Sequence, residues 1–361
     1  MNILNQGFDH VEFVVNSVDS HVQTWAKMGF EKTGEAKKPA QGCRQVVMSQ
    51  GLVRLVLTEY DESVSAKNQL GYKFLNAHGD GISVLALEVD DAAGAFRETT
   101  QRGGRPATAP QTFETSEGQV TVAEIYTPAD VRYRFVSRKH SGDLKKPALL
   151  LDGVVVSRLE SPSPTGVATI DHLTNNIDMG QMDVWVKFYE QVFEFKSVRH
   201  FHIKTGRTGL LSEVVQSKCG RIKVPINEAT EKESQVQEFV DRFKGAGVQH
   251  LAFLNADIIR ALKEYRQQGF KFLSVPSTYY EVVPKRVPGV TEDLKVLEEL
   301  GILLDGEGGG YLMQIFTAEL IGPFFLEIIQ RKGNDGFGEG NFTALFEAIE
   351  RDQIRRGVLK A

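Results

Sequence analysis

Asp9-His10-Val11-Glu12-Phe13 returns in the second half of the chain as Asp171-His172-Leu173-Thr174-Asn175, each time opening a short run of strand character. Working outward, Gly79-Asp80-Gly81-Ile82-Ser83-Val84-Leu85-Ala86-Leu87 returns as Gly245-Ala246-Gly247-Val248-Gln249-His250-Leu251-Ala252-Phe253. A weaker pairing sets Arg134-Phe135-Val136-Ser137-Arg138 against Glu327-Ile328-Ile329-Gln330-Arg331. The order is the same in both halves, so the chain reads as a duplication. Its boundary is expected between Lys139 and Thr169, where Lys145-Lys146-Pro147 and Ser161-Pro162-Ser163-Pro164 mark a linker. The two expected domains are residues 1–150 and 165–361.

Local periodicity predicts an α+β fold. Met182, Trp185, Val186, Tyr189 and Val192 recur at helical spacing within 181–192, and strands are expected over 193–204, 208–215 and 221–226. A second unit follows, with a short strand from His250, a helix over 257–268 closed by Gly269, and strands over 311–317 and 323–329. Each half thus holds two units of strand, helix and strands, and the chain holds four. A last helix over 341–358 would carry Phe342, Leu345, Phe346, Ile349 and Ile354 on one face beyond the glycine-rich stretch 333–340; it could serve as a lid or simply pack.

The 361 residues allow two domains of ordinary size, and a net charge of -5 with 25% charged and 41% hydrophobic residues is the balance of a globular protein. Nothing suggests nucleic acid. No apolar run reaches the roughly 20 residues of a membrane span, and the start of the chain lacks the basic and apolar regions of a signal peptide, so a cytoplasmic location is expected. Cys43 and Cys219 lie far apart, which leaves any metal to histidine and carboxylate.

Only eight histidines are present. His172, His250 and Glu327 each fall in an apolar strand of the second half at nearly equal separations, as symmetric units would place them. Two histidines and one carboxylate are the set that commonly holds Fe(II) for oxygen chemistry. The equivalent positions of the first half are His10, Val84 and Arg134, so that half would be a scaffold without metal. A carboxylate inside Phe324-Phe325-Leu326-Glu327-Ile328-Ile329 needs a compensating cation, and Arg331 is the nearest alternative to a metal. His200 and His202 form a competing pair on one strand face, beside Lys204 and Arg207. Lys37-Lys38 and 351–356 read as solvated basic faces, and 306–310 as a flexible turn without the setting of a phosphate loop.

With these segments in place, the chain resembles the 4-hydroxyphenylpyruvate dioxygenase family of the vicinal oxygen chelate superfamily. The segments that carry the likeness are Asp171-His172-Leu173-Thr174-Asn175-Asn176, Gln249-His250-Leu251-Ala252, Phe325-Leu326-Glu327, Pro225-Ile226-Asn227-Glu228, Ser234-Gln235-Val236-Gln237, Gln314-Ile315-Phe316-Thr317 and Gly336-Phe337-Gly338-Glu339-Gly340-Asn341-Phe342. The resemblance implies a duplicated vicinal oxygen chelate fold, four βαβββ-type units forming two open barrels, with Fe(II) on His172, His250 and Glu327. It implies a cavity with polar groups from Ser212, Asn227, Gln235, Gln249 and Gln314, and with Pro225, Phe316, Phe337, Asn341 and Phe342 in its walls. On periodicity alone Gln235 reads as a helix-surface residue and Phe316 as core.

The implied reaction converts 4-hydroxyphenylpyruvate and O2 to homogentisate and CO2 in tyrosine breakdown, by decarboxylation, ring hydroxylation and side-chain migration. The family's tendency implies a homodimer or homotetramer. Three other readings compete. A 4-hydroxymandelate synthase would hydroxylate the side chain instead of the ring; an extradiol dioxygenase would need His200 or His202 as acid-base; a binding module would lack turnover.

Overall fold

The computed structural model describes residues 3–116, 118–140, 148–157, 159, 163–204, 209–307 and 309–345. In the first half, alternating and β-branched runs form β1 (Ile3–Val14), β2 (Glu31–Lys38), β3 (Cys43–Gln50), β4 (Val53–Tyr60), β5 (Gly81–Val89), β6 (Pro106–Thr115), β7 (Gly118–Tyr126) and β8 (Arg132–His140). A hairpin follows, β9 (Ala148–Leu151) and β10 (Val154–Val156). The second half repeats the set as β11 (Val167–Ile177), β12 (Lys196–Lys204), β13 (Gly209–Gln216), β14 (Lys223–Ala229), β15 (Gly247–Asn255), β16 (Leu303–Glu307), β17 (Gly310–Phe316) and β18 (Phe325–Lys332).

Each set forms one eight-stranded sheet, in the orders β2-β3-β4-β1-β5-β8-β7-β6 and β12-β13-β14-β11-β15-β18-β17-β16. The second order is the first with every strand replaced by its repeat. Within each sheet the two four-strand units join through an antiparallel pair, β1 with β5 and β11 with β15. The chain is therefore a duplicated α+β fold of two curled sheets. Register verifies the pairing of positions: Ala86 faces Arg134 across β5 and β8, and Ala252 faces Glu327 across β15 and β18. Val84 likewise stands where His250 does, since Glu12 pairs with Val84 and Thr174 with His250.

Helices cover the convex faces. The helix Met182–Phe193 buries Trp185, Tyr189, Val192 and Phe193 and stops at Glu194, whose φ of 58° breaks the turn. The helix Ile258–Gln267 starts where the Asp257 carboxylate accepts from Arg260 N at 3.0 Å, and it ends before Gly269 at φ 85°. One apolar core runs through both halves, with Phe13 against Phe324 at 5.1 Å between ring centroids and Phe30 against Phe253 at 5.8 Å. Thr165 ties the halves together: its hydroxyl accepts from Gln50 Nε2 at 3.0 Å and from the Tyr265 hydroxyl at 2.9 Å.

The linker is more structured than its proline-rich composition suggests. β9 and β10 place Leu150, Leu151, Val154 and Val156 against Val47, Val56, Ala86, Val120, Val122 and Val136 of the first sheet, so the hairpin fills that sheet's concavity. In the second sheet the matching positions include Pro225 and Gln314, and the concavity holds polar groups. Lys38 also departs from expectation. Its neighbour Lys37 is exposed, but the Lys38 side chain is only 12% exposed, reaches Asp152 at 3.9 Å, and has its pKa pushed down by burial. In the expected turn, Gly306 and Glu307 end β16 and Gly310 opens β17, with Glu307 paired to Gly310. Residues 339–345 are helical; the rest of the expected last helix, and 351–356, lie outside the described residues, as do 145–147 and 161–162 of the linker. Among the described residues no helix is long and apolar enough to cross a membrane.

Candidate metal centre

Three neighbouring strands deliver the three expected ligands to one point on the concave face of the second sheet. His172 lies on β11, His250 on β15 and Glu327 on β18, with 2%, 8% and 1% of their surfaces exposed. One ligand atom from each falls within 4.8 Å of the others. Glu327 Oε2 stands 3.2 Å from His172 Nε2 and 3.5 Å from His250 Nε2. Burial pushes the Glu327 carboxyl up, but the two imidazoles outweigh it and hold the group down at about 2. Burial pushes His172 down, and Glu327 with Asp171 reverses this, raising it to about 9. His250 stays lowered by burial.

Two β-bulges aim the histidines. On β11, Ile170 pairs with Phe253 and His172 with Ala252, leaving Asp171 as the extra residue. On β15, Thr174 pairs with His250 and Asn175 with Val248, leaving Gln249 as the extra residue. Each bulge residue therefore reaches its neighbour's ring instead of pointing to the opposite face: Asp171 Oδ2 lies 2.8 Å from His172 Nδ1 and Gln249 Oε1 lies 3.0 Å from His250 Nδ1. An acceptor at Nδ1 keeps the proton there and leaves Nε2 free for a cation. Arg331 does not neutralise Glu327. Its guanidinium donates to both oxygens of Asp171 at 2.8 and 2.6 Å, and to the carbonyls of Asn334 and Gly336 at 3.0 and 2.7 Å.

Glu327 Oε1 is buried without a hydrogen-bond partner. A charged oxygen in that state costs several kcal/mol unless a cation compensates it. Two imidazole nitrogens and a carboxylate suit a divalent transition ion, so the residues present fit the metal that the sequence implies.

Aromatic rings wall the cluster. Phe337 meets His172 edge-on at 5.3 Å, Phe325 stacks on His250 at 5.0 Å, and Phe316 stands 6.0 Å from His250. Phe316 is thus partly open to the concave face and not simply core. Ser212 and Pro225 are buried, and Asn227 Nδ2 faces Asn176 Oδ1 at 3.5 Å. Gln314 is buried with its Oε1 unpartnered. Asn341 is buried too, accepting from the Tyr279 hydroxyl at 2.6 Å and from Arg286 at 3.0 Å.

Two residues assigned to the cavity by resemblance are on the surface. Gln235 is exposed in the first turn of the helix Gln235–Phe243, where Val236, Phe239 and Val240 take the buried side. Phe342 is 45% exposed, because Asn341 and Ala344 take the inward positions of its helical turn. His200 is exposed and spent on Glu213 at 2.6 Å, and His202 is exposed, so neither joins the cluster. Sequence reading missed the supporting parts played by Asp171 and Phe325. The repetition of Asp9-His10 with Arg138 as Asp171-His172 with Arg331 was the available signal for the first. Strand alternation from Glu327 was the signal for the second.

Gly338 has φ 75°, and a Cβ there would run into the Gln314 side chain. Gly338→Ala is expected to displace Gln314 and to cost about 1–3 kcal/mol through backbone strain and overpacking. Urea denaturation of the variant checks this, and an unchanged midpoint would refute it.

Comparison with known proteins agrees with this architecture. Residues 9–122 and 169–282 each match a model of the Glyoxalase/Bleomycin resistance protein/Dioxygenase superfamily. A 4-hydroxyphenylpyruvate dioxygenase of Legionella pneumophila is 38% identical over 98% of this chain and 96% of its own length. Hemolysin VllY of Vibrio vulnificus is 35% identical with the same coverage. A mutant 4-hydroxymandelate synthase from Streptomyces coelicolor superposes with a TM-score of 0.82 at 26% identity, covering 98% of this chain and 100% of that one. The chain belongs to the 4-hydroxyphenylpyruvate dioxygenase family within that superfamily. Family and cluster together imply a metal-dependent enzyme acting on a small molecule and O2.

Proposed function

We propose that the chain is an Fe(II) enzyme that converts 4-hydroxyphenylpyruvate and O2 to homogentisate and CO2. The observation that carries this reading is the buried cluster of His172, His250 and Glu327, with one carboxylate oxygen left unpartnered. Held by those three residues, ferrous iron would supply oxygen activation and a chelation point for the two oxygens of a 2-keto acid.

The remaining work falls to the chain itself. Asp171 and Gln249 hold the Nδ1 protons of the two histidines, which fixes ring orientation. Phe316, Phe325 and Phe337 keep the cluster dry and offer flat apolar surfaces to an aromatic ring. Ser212, Asn227 and Gln314 supply donors and acceptors on the concave face, and the unpartnered Gln314 Oε1 could accept from a phenol hydroxyl. The first half acts as scaffold, since Arg134 occupies the carboxylate position and reaches His10 Nε2 at 3.0 Å.

The close structural likeness to a 4-hydroxymandelate synthase favours a second reading, in which the same iron and substrate give the side-chain alcohol. Product identification separates them. The iron-loaded protein supplied with 4-hydroxyphenylpyruvate under air is expected to yield homogentisate and CO2. Recovery of 4-hydroxymandelate would move the assignment to the second reading, and absence of CO2 would defeat both.

A further inference from the structure

We propose that the turn between β13 and β14 forms a basic vestibule that captures the carboxylate of an incoming anionic substrate before it reaches the metal cluster. The inference rests on the keto-acid reading above. A cleft of about 370 Å³ opens beside Phe337 and is lined by Arg199, Gln216, Gly220, Lys223, Asp335 and Phe337. Phe337 is also the ring that meets His172 edge-on, so the cleft lies one side chain away from the cluster.

Strand alternation puts Lys223 on the same face of β14 as Pro225 and Asn227, and Gln216 on the same face of β13 as Ser212. The cleft is thus the mouth of the concavity that holds the candidate site. Arg199 and Lys223 are the cations among its lining residues, and Asp335 is the acid. The turn carries Lys218, Arg221 and Lys223 with no acidic residue between Gln216 and Lys223. Arg199 adds a fourth positive charge but is engaged by Glu339 at 2.9 Å. Among the described residues no carboxylate lies within ion-pair distance of Lys223, although Asp335 shares the cleft.

The turn is also held in place. Ser217 Oγ accepts from Ile222 N at 3.0 Å, and Ser217 N donates to Ile222 O at 2.9 Å. Gly7 packs so closely on Ile222 and Arg221 that a Cβ there would collide with the Ile222 side chain. A held turn that carries three cations beside the cleft, on a chain whose net charge is -5, raises the local concentration of small anions. It should do so most at low ionic strength.

The test compares the ferrous holoenzyme with its Lys218→Gln/Arg221→Gln/Lys223→Gln variant. Stopped-flow mixing with 4-hydroxyphenylpyruvate without oxygen gives the association rate from the visible charge-transfer band, at several salt concentrations. The variant is expected to associate about 3–10-fold more slowly at low salt and to converge on the parent near 0.5 M salt, where screening is nearly complete. Iron content and kcat should be unchanged. Equal rates at low salt would overturn the vestibule while leaving the keto-acid reading intact. A deficit that persists at high salt would overturn it as well, since it would mark a steric or folding effect. No band in the parent protein would defeat the keto-acid reading and take the vestibule with it.

Discussion

Glu327→Ala is expected to abolish stable iron binding and turnover while the chain still folds. The substitution removes the one anionic ligand of the cluster and leaves two imidazoles on adjacent strands. Loss of a supporting group around a metal lowers affinity about 10–100-fold, so loss of the carboxylate itself should exceed about 100-fold. The fold should survive because the partner can relax. His172 is raised to about 9 largely by Glu327, working against burial. Without Glu327 the ring can shed its proton, and the uncompensated buried charge that makes broken ion pairs cost about 3–5 kcal/mol does not arise. Iron retained after desalting, CO2 release and the thermal transition would be measured side by side. Full iron content with full activity would remove the cluster from the chemistry.

Much of this arrangement was legible in the sequence because duplication makes a chain its own comparison. The repeat of Asp9-His10 as Asp171-His172 marked the duplication and singled out Val84 and Arg134 as places where the halves differ. Register pairing bears out those equivalences. The bulges were not legible. Period-two alternation places Asp171 and Gln249 on the face opposite the histidines, and only an extra residue in the ladder turns them beside the rings. Nor could composition show what fills the first barrel. Leu149-Leu150-Leu151 follows a lysine-proline stretch that reads as linker, yet Leu150 and Leu151 supply the apolar plug of the first sheet. The surface placement of Gln235 follows from the helix pattern, in which Val236, Phe239 and Val240 claim the buried side.

The duplication also separates metal support from plain structural support, through a pair of matched substitutions. Asp171 and Asp9 make the same contacts, each with a histidine Nδ1 and with an arginine from the last strand of its sheet. Arg331 and Arg138 each pass a further hydrogen bond to the segment that follows that strand, Arg331 to the Gly336 carbonyl at 2.7 Å and Arg138 to the Leu150 carbonyl at 2.9 Å. Asp→Ala at either position strands a largely buried arginine, and a stability loss of about 3–5 kcal/mol is expected from both. Only Asp171→Ala also frees the Nδ1 side of a candidate ligand, so it alone should weaken ferrous-ion binding, by about 10–100-fold. Isothermal titration with Fe(II) under anaerobic conditions, run beside urea denaturation, reads both quantities. If Asp9→Ala weakened iron as much as Asp171→Ala, the effect would be transmitted through stability and not through His172. If neither did, the Asp–His contact would be a feature of the repeated strand alone, present in both halves because both inherited the same bulge.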